Sequence, residues 1–201
     1  MFSGAQFSLY PMTDEFVPAI LRGVAALDAY KDALRRDTDD LSTLLVGPSD
    51  TVVRALRDSF IATASGGGHV VMSATLSRGC PGESDDPICA APALIIPADD
   101  ADLVTAAVGR FDPGAPSGLD ARAQISLYPL GGEGHMARIG ACIDFLKAVG
   151  VYDKPKHFCS KLRGDASVLF AAIERSFIDF APAQAHVVLS LTVSVGSPSL
   201  R

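Results

Sequence analysis

Ala5-Gln6-Phe7-Ser8-Leu9-Tyr10-Pro11 returns later in the chain as Ala123-Gln124-Ile125-Ser126-Leu127-Tyr128-Pro129, at an offset of 124 − 6 = 118 residues. Ser59-Phe60-Ile61 returns as Ser176-Phe177-Ile178. His69-Val70-Val71-Met72-Ser73 returns as His186-Val187-Val188-Leu189-Ser190, now at 186 − 69 = 117. Gly79-Cys80-Pro81 and Gly196-Ser197-Pro198 close the copies at the same offset. Four blocks in one order are a tandem duplication with one residue lost, and two copies make two domains rather than a solenoid. The expected division is a first repeat over 1–79, a connector over 80–120 and a second repeat over 121–201.

Within each copy the pattern reads strand, helix, two short strands, helix, strand. Ala5, Phe7 and Leu9 alternate with Gln6, Ser8 and Tyr10, which predicts a strand with one buried face, ended by Pro11. Phe16, Val17, Ile20, Leu21, Val24 and Leu27 follow helical spacing. Pro18 suits only a first turn, so Asp14 or Glu15 is the expected cap. Met136, Ile139, Ile143 and Leu146 give the matching stripe in the second copy. Arg35–Val46 and Val151–Arg163 read as polar hairpins. Val52, Val53, Leu56 and Phe60, matched by Leu169, Phe170, Ile173 and Phe177, mark a second helix. The last strand buries Val70, Met72, Ala74 and Leu76. The order β-α-β-β-α-β predicts an α+β fold of tandem ferredoxin-like domains with antiparallel sheets. Helices cover one sheet face. The other carries Gln6, Ser8, Tyr10, His69, Ser73 and Thr75, and in the second copy Gln124, Ser126, Tyr128, His186, Ser190 and Thr192. Such a face is solvated, a subunit contact or a binding surface. In the connector, Asp99 or Asp100 is the expected cap of a short helix carrying Leu103, Val104, Ala107, Val108 and Phe111. Glu83–Pro87 is the segment expected to move most.

The 201 residues are 48% apolar and 20% charged, the composition of a globular protein. Lys and Arg number 17 against 23 Asp and Glu, a net charge of −6, which argues against a nucleic-acid or anionic-membrane binder. No apolar run approaches the roughly 20 residues that span a bilayer; the nearest, Ala90–Ile96, is broken by Pro92. The first residues lack a basic n-region, so no signal peptide is expected. Cys80, Cys89, Cys142 and Cys159 lack C-x-x-C spacing and are expected as reduced thiols in the cytoplasm.

Ser8-Leu9-Tyr10-Pro11-Met12-Thr13-Asp14, Asp40-Leu41-Ser42-Thr43, Gly79-Cys80-Pro81-Gly82 and the second Leu127-Tyr128-Pro129 resemble the YkoF family of thiamin/hydroxymethylpyrimidine-binding proteins. The resemblance covers nearly the whole chain. It implies a cytosolic, non-enzymatic, dimeric protein that binds thiamin through its pyrimidine half, connected with uptake or salvage of that precursor, and a link to a membrane transporter for it is the expectation. It implies no cofactor and no metal. An aminopyrimidine offers two ring-nitrogen acceptors and an amine donor on a flat body, so its site needs hydroxyls or N–H groups, a carboxylate or carbonyl, and an apolar wall. Ser8, Tyr10, Asp39, Asp40, Ser42 and Thr43 are the candidates in the first copy, the last four on a strand beside the first strand. Ser126, Tyr128, His157 and Ser160 are the candidates in the second. At the offset of 117, Asp40 becomes His157, Ser42 becomes Cys159 and Thr43 becomes Ser160, so the second site is expected to bind more weakly or differently.

Other motifs have plainer readings. Gly132-Glu133-Gly134-His135-Met136-Ala137 fits a dinucleotide fingerprint, but the first copy has Met12-Thr13-Asp14-Glu15 there, with no glycine. Gly66-Gly67-Gly68 precedes a strand rather than a helix and reads as a turn. His69 and His186 lack partners at metal-ligand spacing. His157 with Cys159 suggests a base and nucleophile, but Asp40 and Ser42 replace them in the first copy. Tyr10 and Tyr128 either cover the sheet rim or stack on a ligand, and Ser59 and Ser176 read as helix-packing residues. An enzyme acting on a small heterocycle, or an oligomerisation module without a ligand, are the alternative functions.

Overall fold

The structure, a computed structural model, describes residues 2–80, 102–130, 134–181 and 185–200. The first repeat comprises β1 (Phe2–Met12), α1 (Phe16–Ala26), β2 (Arg35–Thr38), β3 (Thr43–Val46), α2 (Ser49–Ala64) and β4 (His69–Cys80). A short helix, α3 (Leu103–Gly109), lies in the connector. The second repeat comprises β5 (Asp120–Leu130), α4 (His135–Ala148), β6 (Tyr152–Pro155), β7 (Ser160–Asp165), α5 (Ala166–Asp179) and β8 (His186–Val195). Both repeats have the β-α-β-β-α-β order read from the sequence.

The strands form one eight-stranded antiparallel sheet in the order β2-β3-β1-β4-β8-β5-β7-β6. Each half is the ferredoxin-like arrangement. The halves meet edge to edge where β4 pairs with β8 over Val70↔Val195 to Arg78↔Val187. The last strand of each repeat, an exposed edge in isolation, is thereby closed by its counterpart. His69 Nε2 lies 3.0 Å from Ser194 Oγ, and His186 Nε2 lies 3.1 Å from Ser77 Oγ, so both histidines clasp this seam.

The helices cover one face. Val70, Met72, Ala74 and Leu76 of β4 are buried beneath them, as are Val187, Leu189, Leu191 and Val193 of β8. Phe60 of α2 and Phe170 of α5 pack with ring centroids 5.8 Å apart, so one core runs through both repeats. On the opposite face Gln6, Ser73, Thr75, Gln124, Ser190 and Thr192 are exposed.

Four local readings are corrected. Pro11 does not end β1, which runs on to Met12, and Pro129 likewise lies inside β5. In an antiparallel strand alternate residues send both N–H and C=O to the same side. The Ser3 carbonyl accepts from Gly47 N, 3.0 Å away at the β3 end of the hairpin, so odd-numbered residues of β1 face β3. Pairing with β3 stops at Phe7↔Thr43, so Pro11 withholds an N–H from a side that has no ladder to lose. The apolar stripe of α1 gives the helix but not its buried face: Phe16, Val17 and Leu21 are exposed, while Ala19 and Gly23 are buried. A Cβ on Gly23 would stand 2.1 Å from Thr63 Oγ1, so α1 needs small residues to approach α2. The cap of α3 is Asp102, whose carboxylate accepts from Thr105 N at 2.9 Å, and Phe111 lies beyond the helix. Asp99, Asp100 and the Glu83–Pro87 segment lie outside the described residues. Finally, Asp39, Asp40 and Ser42 are in the β2–β3 turn, with only Thr43 in a strand; a four-residue strand ends before it reaches them.

Candidate ligand pockets

The pockets follow from unequal strand lengths. β1 has 11 residues and β3 has 4, so beyond Phe7 the β3 side of β1 runs bare. The next odd residue is Leu9, whose N–H and C=O therefore point into the gap. The second copy repeats this. The Leu119 carbonyl accepts from Ala166 N at 2.9 Å, which sets the odd residues of β5 toward β7. Pairing ends at Ile125↔Ser160, leaving Leu127 on the bare edge.

In each copy the hairpin turn folds back beside this edge, and a strand serine holds it there. Ser8 Oγ donates to the Leu41 carbonyl at 2.7 Å, and Ser126 Oγ donates to the Phe158 carbonyl at 2.8 Å. The turns close alike, with Asp39 N donating to the Ser42 carbonyl at 3.0 Å and Lys156 N to the Cys159 carbonyl at 2.9 Å. In the first copy Gln6 Nε2 also donates to Ser42 Oγ at 2.8 Å. Asp39 Oδ1 accepts from the backbone N–H groups of Leu41 and Ser42, each at 2.8 Å, as side chains of this kind do in Asx turns. These two donors hold the Asp39 carboxyl below the usual carboxylate range.

Between edge, turn and first helix lies a cavity in each repeat. The first, about 320 Å³, is walled by Phe7, Leu9, Ile20 and Val24 and rimmed by Asp39, Asp40 and Leu41. The second, about 290 Å³, is walled by Ile139, Ile143, Leu146 and Tyr152 and rimmed by Lys156 and Phe158. Burial pushes the Cys142 thiol at its floor up to about 12, which leaves it protonated and unreactive. Leu41 and Phe158 occupy equivalent turn positions and are 79% and 91% exposed. Each is an apolar side chain on a fixed backbone beside a cavity. A bare strand edge offers a donor and an acceptor in one plane, which matches a flat ring bearing an amine beside a ring nitrogen.

Nine of the ten candidate residues from the sequence line these cavities: Ser8, Tyr10, Asp39, Asp40, Ser42 and Thr43 in the first, Ser126, Tyr128 and Ser160 in the second. His157 does not line its cavity; it is exposed, its ring 6.3 Å from that of Phe158. The hydroxyls of Ser8 and Ser126 are engaged in holding the turns. Thr43 is buried, its hydroxyl 3.1 Å from that of Thr38. Lys156, Phe158 and the backbone of Leu9 and Leu127 were missed. Lys156 is found by carrying the offset of 117 to Asp39, and the bare edge is signalled by proline at the same place in both copies. Of the competing motifs, Gly67 and Gly68 form a left-handed turn, at φ 78° and 85°. Gly134 lies just before α4, with Gly132 and Glu133 outside the described residues. Among the described residues no group of three or more His, Cys, Asp or Glu side chains is placed to hold a metal ion. No helix among them is long and apolar enough to cross a membrane.

The architecture defines a duplicated ferredoxin-like protein with one equivalent pocket per repeat. The profile of the YKOF-related Family matches residues 2–83 and 120–200, one match per repeat, and the chain belongs to that family. A protein of Bacillus subtilis (strain 168) named "Putative HMP/thiamine-binding protein YkoF" is 31% identical over 199 residues, spanning 98% of this chain and 92% of that one.

Proposed function

We propose that this protein binds thiamin or its hydroxymethylpyrimidine (HMP) moiety, without catalysis, at the two strand-edge pockets. The observation that carries the reading is the bare edge at Leu9 and Leu127, set in an apolar cavity in both repeats. The aminopyrimidine amine donates to the edge carbonyl, and a ring nitrogen accepts from the edge N–H. Apolar residues of α1 or α4 cover one ring face, and Leu41 or Phe158 closes the other. Ser8, Ser126 and Asp39 act by holding the turns. Tyr10, Asp40, Ser42 and Thr43, with Tyr128 and Ser160, complete the walls. The name of the B. subtilis relative supports this choice of ligand.

The protein works in the cytoplasm, in uptake or salvage of the thiamin precursor, and hands its ligand to or from a membrane transporter. It is a homodimer. The hydroxyl-lined centre of the open sheet face, carrying Ser73, Thr75, Ser190 and Thr192, supports that assembly, since an uncovered sheet face suits a second copy. Sedimentation equilibrium at micromolar concentration is expected to give the mass of a dimer, and a monomer contradicts it.

Calorimetric titration tests the ligand. Thiamin and HMP are expected to bind and to compete with each other, while the isolated thiazole gives no heat. Preferential binding of the thiazole, or conversion of thiamin into product during the titration, overturns the reading.

A further inference from the structure

Although the two pockets share one backbone plan, the charge at their rims is reversed. The first has two carboxylates, Asp39 and Asp40, and, among the described residues, no cation in its lining. Asp39 holds its negative charge because two backbone N–H groups solvate the carboxylate. The second has Lys156 at the position of Asp39 and, among the described residues, no acidic residue in its lining. Asp153, on the neighbouring β6, is paired with Lys161 at 3.1 Å. Asp39, Asp40 and Lys156 sit on the turns that close the cavities.

We propose that the pockets divide their ligands by charge. The pocket on β1 takes thiamin, whose thiazolium is a cation, and the pocket on β5 takes the uncharged pyrimidine alcohol in preference to thiamin. The inference rests on the reading of both cavities as pyrimidine sites. An exposed unit charge some 8 Å from the thiazolium, in a water-like dielectric, alters affinity by roughly twofold. The rims differ by three such charges, Asp39 and Asp40 on one side and Lys156 on the other, so the thiamin-to-HMP affinity ratio differs between pockets by about tenfold. One feature opposes this. Phe158 presents an aromatic face at the second rim, where Leu41 stands at the first, and such a face attracts cations. If Phe158 dominated Lys156, thiamin would be the better ligand at the second pocket.

The test is an amide chemical-shift titration of the intact protein with thiamin and, separately, with HMP, at mildly alkaline pH and low salt. The Leu41 and Ser42 amides report the first pocket, and the Phe158 and Cys159 amides report the second. The thiamin-to-HMP ratio is expected to be about tenfold higher at the first pocket and to converge at high salt. Asp40→Lys is expected to lower it about fivefold at the first pocket only, and Lys156→Asp to raise it about fivefold at the second only. Neither side chain makes a hydrogen bond or ion pair among the described residues, and both are exposed, so both variants are expected to keep the fold. Equal ratios at both pockets, a thiamin preference at the second, or ratios unmoved by either variant overturn charge sorting while leaving pyrimidine binding intact. Shifts at neither turn with either compound overturn both readings together.

Discussion

At the scale of the residue, Arg78 is the largest of the fully buried side chains among the described residues. It is 1% exposed, on β4, and has no counterpart in the second repeat, where the equivalent position is Val195. Its guanidinium donates to the carbonyls of Phe177 at 3.2 Å, Ile178 at 3.3 Å and Ala181 at 3.4 Å, and so satisfies the end of α5 from the opposite repeat. Burial draws its pKa down to about 10, which still leaves it charged at neutral pH. Replacing Arg78 by Met keeps the bulk and strips the donors from several buried carbonyls. The expected cost is about 2–4 kcal/mol, read as a lower denaturation midpoint in urea with ligand binding retained at low temperature. A midpoint within error of the parent protein contradicts the clasp. This residue was not legible in the sequence, because a basic residue in an alternating strand reads as solvent-facing until the partner helix end is in place.

At the scale of the element, the two turns make the same fold by different means. The first is fastened by the Asp39 carboxylate, while the second has Lys156 there and relies on Ser126 and its own backbone bond. The Asp39 pKa is depressed in the folded protein, so its contribution is present above the ordinary carboxylate pKa of about 3.9 and is lost as pH falls through the lower folded value. Acidification below about pH 4 is therefore expected to loosen the first turn ahead of the second. Amide exchange at Leu41 and Ser42 should quicken there while that at Phe158 and Cys159 does not, and Asp39→Ala should reproduce the effect at neutral pH. Simultaneous loosening of both turns contradicts this division of labour. Much of the hairpin was legible: Arg35–Val46 encloses β2 and β3, and Val151–Arg163 covers β6 and all but the last two residues of β7. The turn was not, since alternation tells which residues share a face but not where a four-residue strand stops. The bare edge depends on that stopping point.

At the scale of the whole molecule, the duplication was fully written in the sequence and the joining of its halves was not. Val70, Met72, Ala74 and Leu76 alternate in the same way whichever strand lies alongside, so the pattern fixed the buried face and left the β8 neighbour open. The joined sheet sets two equivalent pockets on its two halves, each formed where the repeat's first strand outruns its neighbour. The central claim is that the ligand completes those strands, taking the place of a missing ladder partner. Amide hydrogen exchange at Leu9 and Leu127 tests it most directly. Saturating HMP is expected to slow exchange at both N–H groups by at least about tenfold, the mark of a new hydrogen bond of roughly 1.4 kcal/mol, while the isolated thiazole leaves them unchanged. Exchange at both positions that is unaltered by bound HMP contradicts the account.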